Sequence, residues 1–258
     1  MSAADRSAAR AQARAVRARR PYPALRAVGG AVTAVLVAGG ALSTAPAMMT
    51  QEGSQTSALP ASMTRLVLQA PRGDVEVREL AAGEEPSVTA TARWTLNRPR
   101  VSTSPATETG TVQVEAPCSG SNLGVCSQDL LVRVPAGTAL EIDGTFGDVD
   151  VTSTGEVQVE VTAGDISLSG APPRAVVRST AGHVTVQHTG EEPPELLRVR
   201  TTLGDVDVEV PGSQEYAVTT ATSQGDRDVR VDEAPDAPSV IDVETTLGDI
   251  EVAPAPTL

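Results

Sequence analysis

Five aspartates recur directly behind a glycine in the second half of the chain: Asp148, Asp165, Asp205, Asp226 and Asp249. A row of carboxylates offers two chemistries. Clusters of about six to eight oxygens hold Ca²⁺, and a pair of acids across a sugar bond hydrolyses it. The same side chains also cap turns, by hydrogen bonding to backbone a residue or two downstream. The spacing is uneven and His183 stands where the row expects an acid. Turn capping tolerates both features, whereas a calcium-binding β-roll needs a strict short repeat. His183 and His188 are five residues apart on an alternating segment, which puts them on opposite sides of a strand and apart as metal ligands or proton relay. No Ser-His-Asp or Cys-His set, phosphate loop or zinc spacing occurs. The sequence therefore assigns no catalytic residue, no cofactor site and no metal ligand, and the chain reads as a non-enzyme. Cys118 and Cys126 are the only cysteines, with seven residues between them in a Gly/Ser/Asn loop. Outside the membrane such a pair favours a disulfide.

The aspartates belong to a repeat. Thr201-Thr202-Leu203-Gly204-Asp205-Val206-Asp207-Val208 returns as Thr245-Thr246-Leu247-Gly248-Asp249-Ile250-Glu251-Val252. Weaker copies surround Gly147, Gly164 and Gly182, an early one surrounds Gly73, and a copy stretched by two residues surrounds Gly225. After each glycine, apolar and polar residues alternate, the pattern of a strand with one buried face. The glycine supplies a corner with positive φ. Steps from Gly147 onward are 17, 18, 22, 21 and 23 residues, periods of a solenoid whose units cannot bury their faces alone. The fold expected is all-β: a single-stranded parallel β-helix or β-solenoid of six rungs from about residue 136 to 252, with irregular N-terminal strands, preceded by one transmembrane helix. Val149, Ile166, Val184, Val206 and Ile250 should share one interior column. Trp94, the lone tryptophan, reads as a core plug or cap.

The N-terminus carries the address. Residues 1–26 hold seven arginines against Asp5, a local charge of +6. An apolar run then covers residues 27–49. A basic flank before an apolar run targets the membrane and keeps the basic side in the cytoplasm. The run serves either as an anchor or as a signal peptide cut after Ala47, and both readings stay open. Residues 50–63, rich in Ser, Thr, Gln and Gly, read as a flexible linker. Residues 64–254 form the extracytoplasmic domain and 255–258 a short tail, and Pro254 and Pro256 would discourage further strand pairing on an open end.

The chain carries −13 overall; beyond the tail, residues 27–258 carry 13 arginines, no lysine and 32 acids, or −19. Phosphate binding wants a basic surface, so a nucleic-acid partner is disfavoured. The membrane, and an envelope protein or polysaccharide, remain as partners.

These residues together resemble the bacterial "putative-adhesin" β-solenoid family, a domain of unknown function. The repeated Gly-Asp-Val-x-Val units, the Val134-Pro135-Ala136-Gly137 lead-in, the cysteine pair before it and the N-terminal membrane segment carry the resemblance, over residues 64–252. It implies a β-solenoid at the cell envelope, without known catalytic residues. Three functions follow as expectations: an adhesion or scaffold module, an accessory of envelope stress signalling, or an enzyme acting on cell-wall sugar.

Overall fold

The computed structural model describes residues 50–105, 107–118 and 125–255. The basic tail, the segment 27–49 and residues 256–258 lie outside the described residues, and so does the expected transmembrane helix. The described residues fall within one compact unit, Thr50–Leu258. Among the described residues there is no helix, hence none long and apolar enough to cross a membrane.

A strand needs partners for its backbone N–H and C=O groups and a dry side for its apolar residues. Stacking supplies both. The strands in chain order are β1 (Gln51–Ala58), β2 (Arg65–Arg72), β3 (Val75–Glu79), β4 (Ser87–Trp94), β5 (Ser102–Thr103), β6 (Thr111–Glu115), β7 (Cys126–Val134), β8 (Ala139–Phe146), β9 (Val149–Ser153), β10 (Val157–Ala163), β11 (Ile166–Gly170), β12 (Arg174–Ala181), β13 (Val184–His188), β14 (Leu196–Leu203), β15 (Val206–Val210), β16 (Glu215–Gln224), β17 (Arg227–Val229), β18 (Asp232–Glu233), β19 (Val240–Leu247) and β20 (Ile250–Pro254). They make two ten-stranded sheets, β1-β4-β7-β3-β9-β11-β13-β15-β20-β17 and β18-β16-β19-β14-β12-β10-β8-β2-β6-β5.

The two orders run in step. Each layer gives one strand to each sheet, in the spatial sequence β6/β7, β2/β3, β8/β9, β10/β11, β12/β13, β14/β15, β19/β20, β16/β17. Neighbouring layers pair in parallel, while β1, β4 and β5 add antiparallel strands at the β6/β7 end. At about 4.8 Å per layer the eight layers rise about 34 Å. The expected column exists: Val149, Ile166, Val184, Val206 and Ile250 lie in register, each at most 2% exposed. Leu66, Leu140, Val157, Ala175, Leu197 and Ile241 form its buried counterpart on the other sheet.

Three expectations need correction. Residues 51–58 are not linker but strand β1, paired along its length with β4. Its inward positions are Gly53, Gln55 and Ser57, so composition alone hides it. Gly53 lets the strand lie close over the indole, since a Cβ would sit 3.0 Å from the Trp94 ring. Second, the rungs do not stack in chain order. The layer with Gly225 lies beyond the layer with Gly248, and the Gly73 layer lies directly beside that of Gly147. The longer loops around β16, β17 and β18 let the chain overshoot one level and return to fill it. Third, Pro254 closes β20, which is interior to its sheet, so the open end belongs to β16 and β17.

That end is built differently. In register with Val243 and Ile250, inward positions of the previous layer, stand Thr220 and Arg227. Arg227 Nη1 donates to the Thr220 carbonyl at 3.2 Å. Ala217–Gln224 carries no charge, and β18 covers only its first neighbours, Glu215 and Tyr216. An uncharged open strand invites another chain, and a terminal solenoid layer needs a polar outer face. Arg227 supplies that face. Replacing both Thr220 and Arg227 with valine is therefore expected to convert a monomer into dimers or longer stacks in multi-angle light scattering. A double variant that stays monomeric at tens of micromolar would remove this role for Arg227.

Near the opposite end Trp94 is buried, 7% exposed, between Gly53 of β1 and the Arg98 guanidinium, which lies 5.3 Å from its ring centroid; it stands outside the continuous aliphatic core, so it packs under the antiparallel edge strand rather than plugging the column. Cys118 and Cys126 are joined in a disulfide, with Cα atoms 5.7 Å apart, where the chain passes from β6 to β7.

Candidate functional site

All seven corner glycines, Gly73, Gly147, Gly164, Gly182, Gly204, Gly225 and Gly248, have positive φ between 125° and 149°. They fall in one column along one corner of the solenoid. Each glycine Cα faces the carbonyl oxygen of the adjacent layer's corner, which is the Gln128 carbonyl in the case of Gly73.

The aspartates behind them form a hydrogen-bonded ladder. Asp74 N–H donates to Asp129 Oδ1 at 3.2 Å, Asp148 N–H to Asp74 Oδ1 at 3.0 Å and Asp165 N–H to Asp148 Oδ1 at 2.9 Å. His183 N–H donates to Asp165 Oδ1, Asp249 N–H to Asp205 Oδ1 and Asp226 N–H to Asp249 Oδ1, all at 2.8 Å. The acid thus caps the next layer's corner rather than its own downstream backbone, which corrects the expected local turn bond. Corner N–H groups have no backbone acceptor in the parallel register, and the carboxylate satisfies them. Among the described residues, no three His, Cys, Asp or Glu side chains gather as a metal site would.

His183 breaks the ladder. Its Nε2 lies 2.8 Å from Asp207 Oδ2, so it offers no oxygen to Asp205 N–H. An asparagine there would present one without adding charge to the row. His183→Asn is expected to raise stability by about 0.5–1 kcal/mol, the worth of one hydrogen bond less a weak surface pair. Urea denaturation of both chains measures it. His188 is buried. Its Nε2–H donates to the Glu192 carbonyl at 2.8 Å, and burial pushes its pKa down, against the smaller opposing effect of that bond.

Beside the glycines runs a second row. Arg72, Phe146, Ala163, Ala181, Leu203, Leu247 and Gln224 are neighbours in register. Phe146 is 52% exposed, Leu203 45% and Leu247 39%; among the described residues they are three of the five large apolar side chains left in water. Outside them lie exposed Thr162, Thr180, Thr202 and Thr246. The corner is therefore striped: hydroxyl, apolar, glycine, carboxylate. Five apolar residues span about 19 Å at the layer spacing. Arg72 stacks over the Phe146 ring at 6.0 Å and ends the apolar stripe on one side.

The charge of the ladder is not neutralised. Acids on the sheet faces pair with arginine: Glu141 with Arg65, Asp242 with Arg198, Glu244 with Arg200 and Glu195 with Arg174. Among the described residues no ion pair reaches Asp74, Asp129, Asp148, Asp165, Asp205, Asp226 or Asp249.

A shallow pocket of about 350 Å³ on the outer face is lined by Glu115, Asp143 and Glu160 with Gln69, an acidic group to which the Gly-Asp repeat does not point. Asp143 is pushed above the usual carboxylate range, by burial first and by Glu141 and Glu160 next. A raised acid beside a second acid is the minimum for sugar hydrolysis. Identical rung positions of Asp143 and Glu160 were its only trace in the sequence.

The fold and this corner define a repetitive all-β scaffold that presents stripes of one chemistry along an edge. The chain belongs to the Toastrack DUF4097 family, whose model matches residues 37–253. It is similar to a solved "putative cell adhesion protein" from Clostridium sporogenes, at 12% identity over 80% of this chain and 100% of that one, with a TM-score of 0.46. A "putative adhesin" from Bacteroides fragilis is similar at 11% identity, over 78% and 97%, with a TM-score of 0.35. No curated protein matches the chain.

Proposed function

We propose that the chain is a non-enzymatic interaction module of the cell envelope, an adhesion or scaffold domain displayed outside the membrane and held there by residues 27–49. The observation that carries this reading is the exposed Phe146–Leu203–Leu247 row, flanked by exposed threonines on one side and by the aspartates on the other. Contiguous exposed apolar residues rimmed by polar ones mark contact surfaces, and a solenoid edge repeats its contact every layer. The "adhesin" names of the similar structures agree with this reading without adding to it.

The test uses cells expressing the full chain or the triple variant Phe146→Thr, Leu203→Thr, Leu247→Thr. Attachment of cells to each other or to a surface is expected to fall with the variant, at unchanged amounts in the membrane fraction. Equal attachment overturns the adhesion reading. Altered stress-gene output on deleting residues 1–20, with attachment unchanged, would point to the signalling accessory instead.

A further inference from the structure

We propose that the striped corner binds a cationic amphipathic polypeptide segment, one that sets lysine or arginine side chains beside an apolar stripe. This rests on the interaction reading and names its partner.

Three observations select that occupant. First, Phe146, Ala163, Ala181, Leu203 and Leu247 form a straight apolar row, exposed at its large members. Second, a parallel row of aspartates lies one residue past the glycines, and among the described residues no arginine pairs with it, although arginines pair with acids elsewhere on the solenoid. Like charges about 5 Å apart repel, and a cation laid along them relieves several repulsions at once. Third, the spacings agree. A helix rises about 5.4 Å per turn, close to the layer repeat, and about 13 of its residues match a 19 Å row. A helix lying along the corner would place an apolar residue and a cation against nearly every layer.

The same facts disfavour other partners. A neutral glycan gains nothing from unpaired carboxylates, and the row holds one aromatic ring, Phe146, on which a sugar could stack. An anionic partner would meet repulsion along the whole ladder.

The ladder makes the test clean. Asp→Asn keeps an Oδ1 that accepts the next layer's N–H, so charge can be removed while the corner stays bonded. Phe146, Leu203 and Leu247 are only half-buried, and Thr in their place keeps a strand-favouring residue at each position while removing the apolar stripe. The full chain is placed in nanodiscs of zwitterionic lipid, with empty discs as blank. Three labelled probes are titrated by anisotropy: an 18-residue amphipathic Lys/Leu peptide, its Glu/Leu counterpart, and an oligolysine of equal charge.

The Lys/Leu peptide is expected to bind and the Glu/Leu peptide not to. Its affinity should drop at least tenfold in Asp148→Asn/Asp165→Asn/Asp205→Asn/Asp249→Asn. It should drop likewise in Phe146→Thr/Leu203→Thr/Leu247→Thr, with both variants melting near the parent. Oligolysine binding as tightly as Lys/Leu means charge alone and overturns the proposal. So does binding by the Glu/Leu peptide, or Lys/Leu binding that survives either variant. If the peptide fails to bind while the Thr variant still abolishes attachment, the partner is wrong and the interaction reading stands. If neither responds, both fall.

Discussion

Gly164→Ala is expected to destabilise the chain by at least about 4 kcal/mol, lowering the melting temperature by about 10 °C or more. A Cβ at Gly164 would sit 2.0 Å from the Gly147 carbonyl oxygen and 2.6 Å from its carbon. Those atoms are backbone, in a layer held by its own neighbours, so no side-chain rotation relieves the clash. The residue also has φ +146°, which an L side chain rarely adopts. The layers must part locally, and doing so breaks Gly147 N–H to Ala163 O, Val149 N–H to Asp165 O and Asp165 N–H to Asp148 Oδ1. Each such bond is worth about 1 kcal/mol, and the strained φ adds about 1–3. The control is Gly137→Ala, where φ is +75° and nothing lies within 4 Å; it should cost only about 1 kcal/mol. Thermal unfolding of the two variants measures the difference. If they melt within two or three degrees of each other, close packing of the corner is not what demands glycine.

The same geometry explains how much of the fold could be read from the chain. Period-two alternation names the inner face of every regular layer, because a solenoid core has no other way to be dry. Glycine corners name the layers. Spatial order was another matter. The steps from Gly204 to Gly225 and from Gly225 to Gly248 are 21 and 23 residues, so spacing cannot say which layer is the end. One residue could have: Arg227 stands in the slot where each inner corner places Val or Ile, and an arginine facing a core column belongs where the column stops. β1 was hidden for a related reason, since an edge strand that only covers Trp94 and β4 needs small inward residues, not apolar ones. The site was half legible. The aspartates were evident, but their bonds run between layers and so depend on register. The apolar row was invisible because Leu203 and Phe146 look like ordinary core residues until the corner turns them outward.

Tyr216→Ala is expected to cost about 3–5 kcal/mol, the range for deleting a large buried aromatic. Tyr216 is fully buried, and its Oη–H donates to the Pro211 carbonyl at 2.8 Å. Its own carbonyl accepts from Ala234 N–H, which brings the loop after β17 over the end of the core beside Val231. Removing the ring unplugs the one end that has polar residues instead of a helix or further strands beyond it. Tyr216→Phe keeps the plug and loses the hydroxyl, and should cost about 1 kcal/mol. The phenol also gives a pH signature. Burial pushes its pKa up to about 12 from an ordinary 10.0. The unfolded chain loses this proton near 10.0 while the folded chain keeps it, so the unfolded state binds fewer protons in that interval. Stability from this group is complete below pH 10 and drains away as pH rises toward 12. Tyr216 should therefore contribute a late step of tyrosinate absorbance that coincides with unfolding. In Tyr216→Phe the later step should vanish and the alkaline loss of stability should flatten. A single step near pH 10 in the parent chain would mean that Tyr216 is open to water, and that the end of the stack is not sealed by its ring.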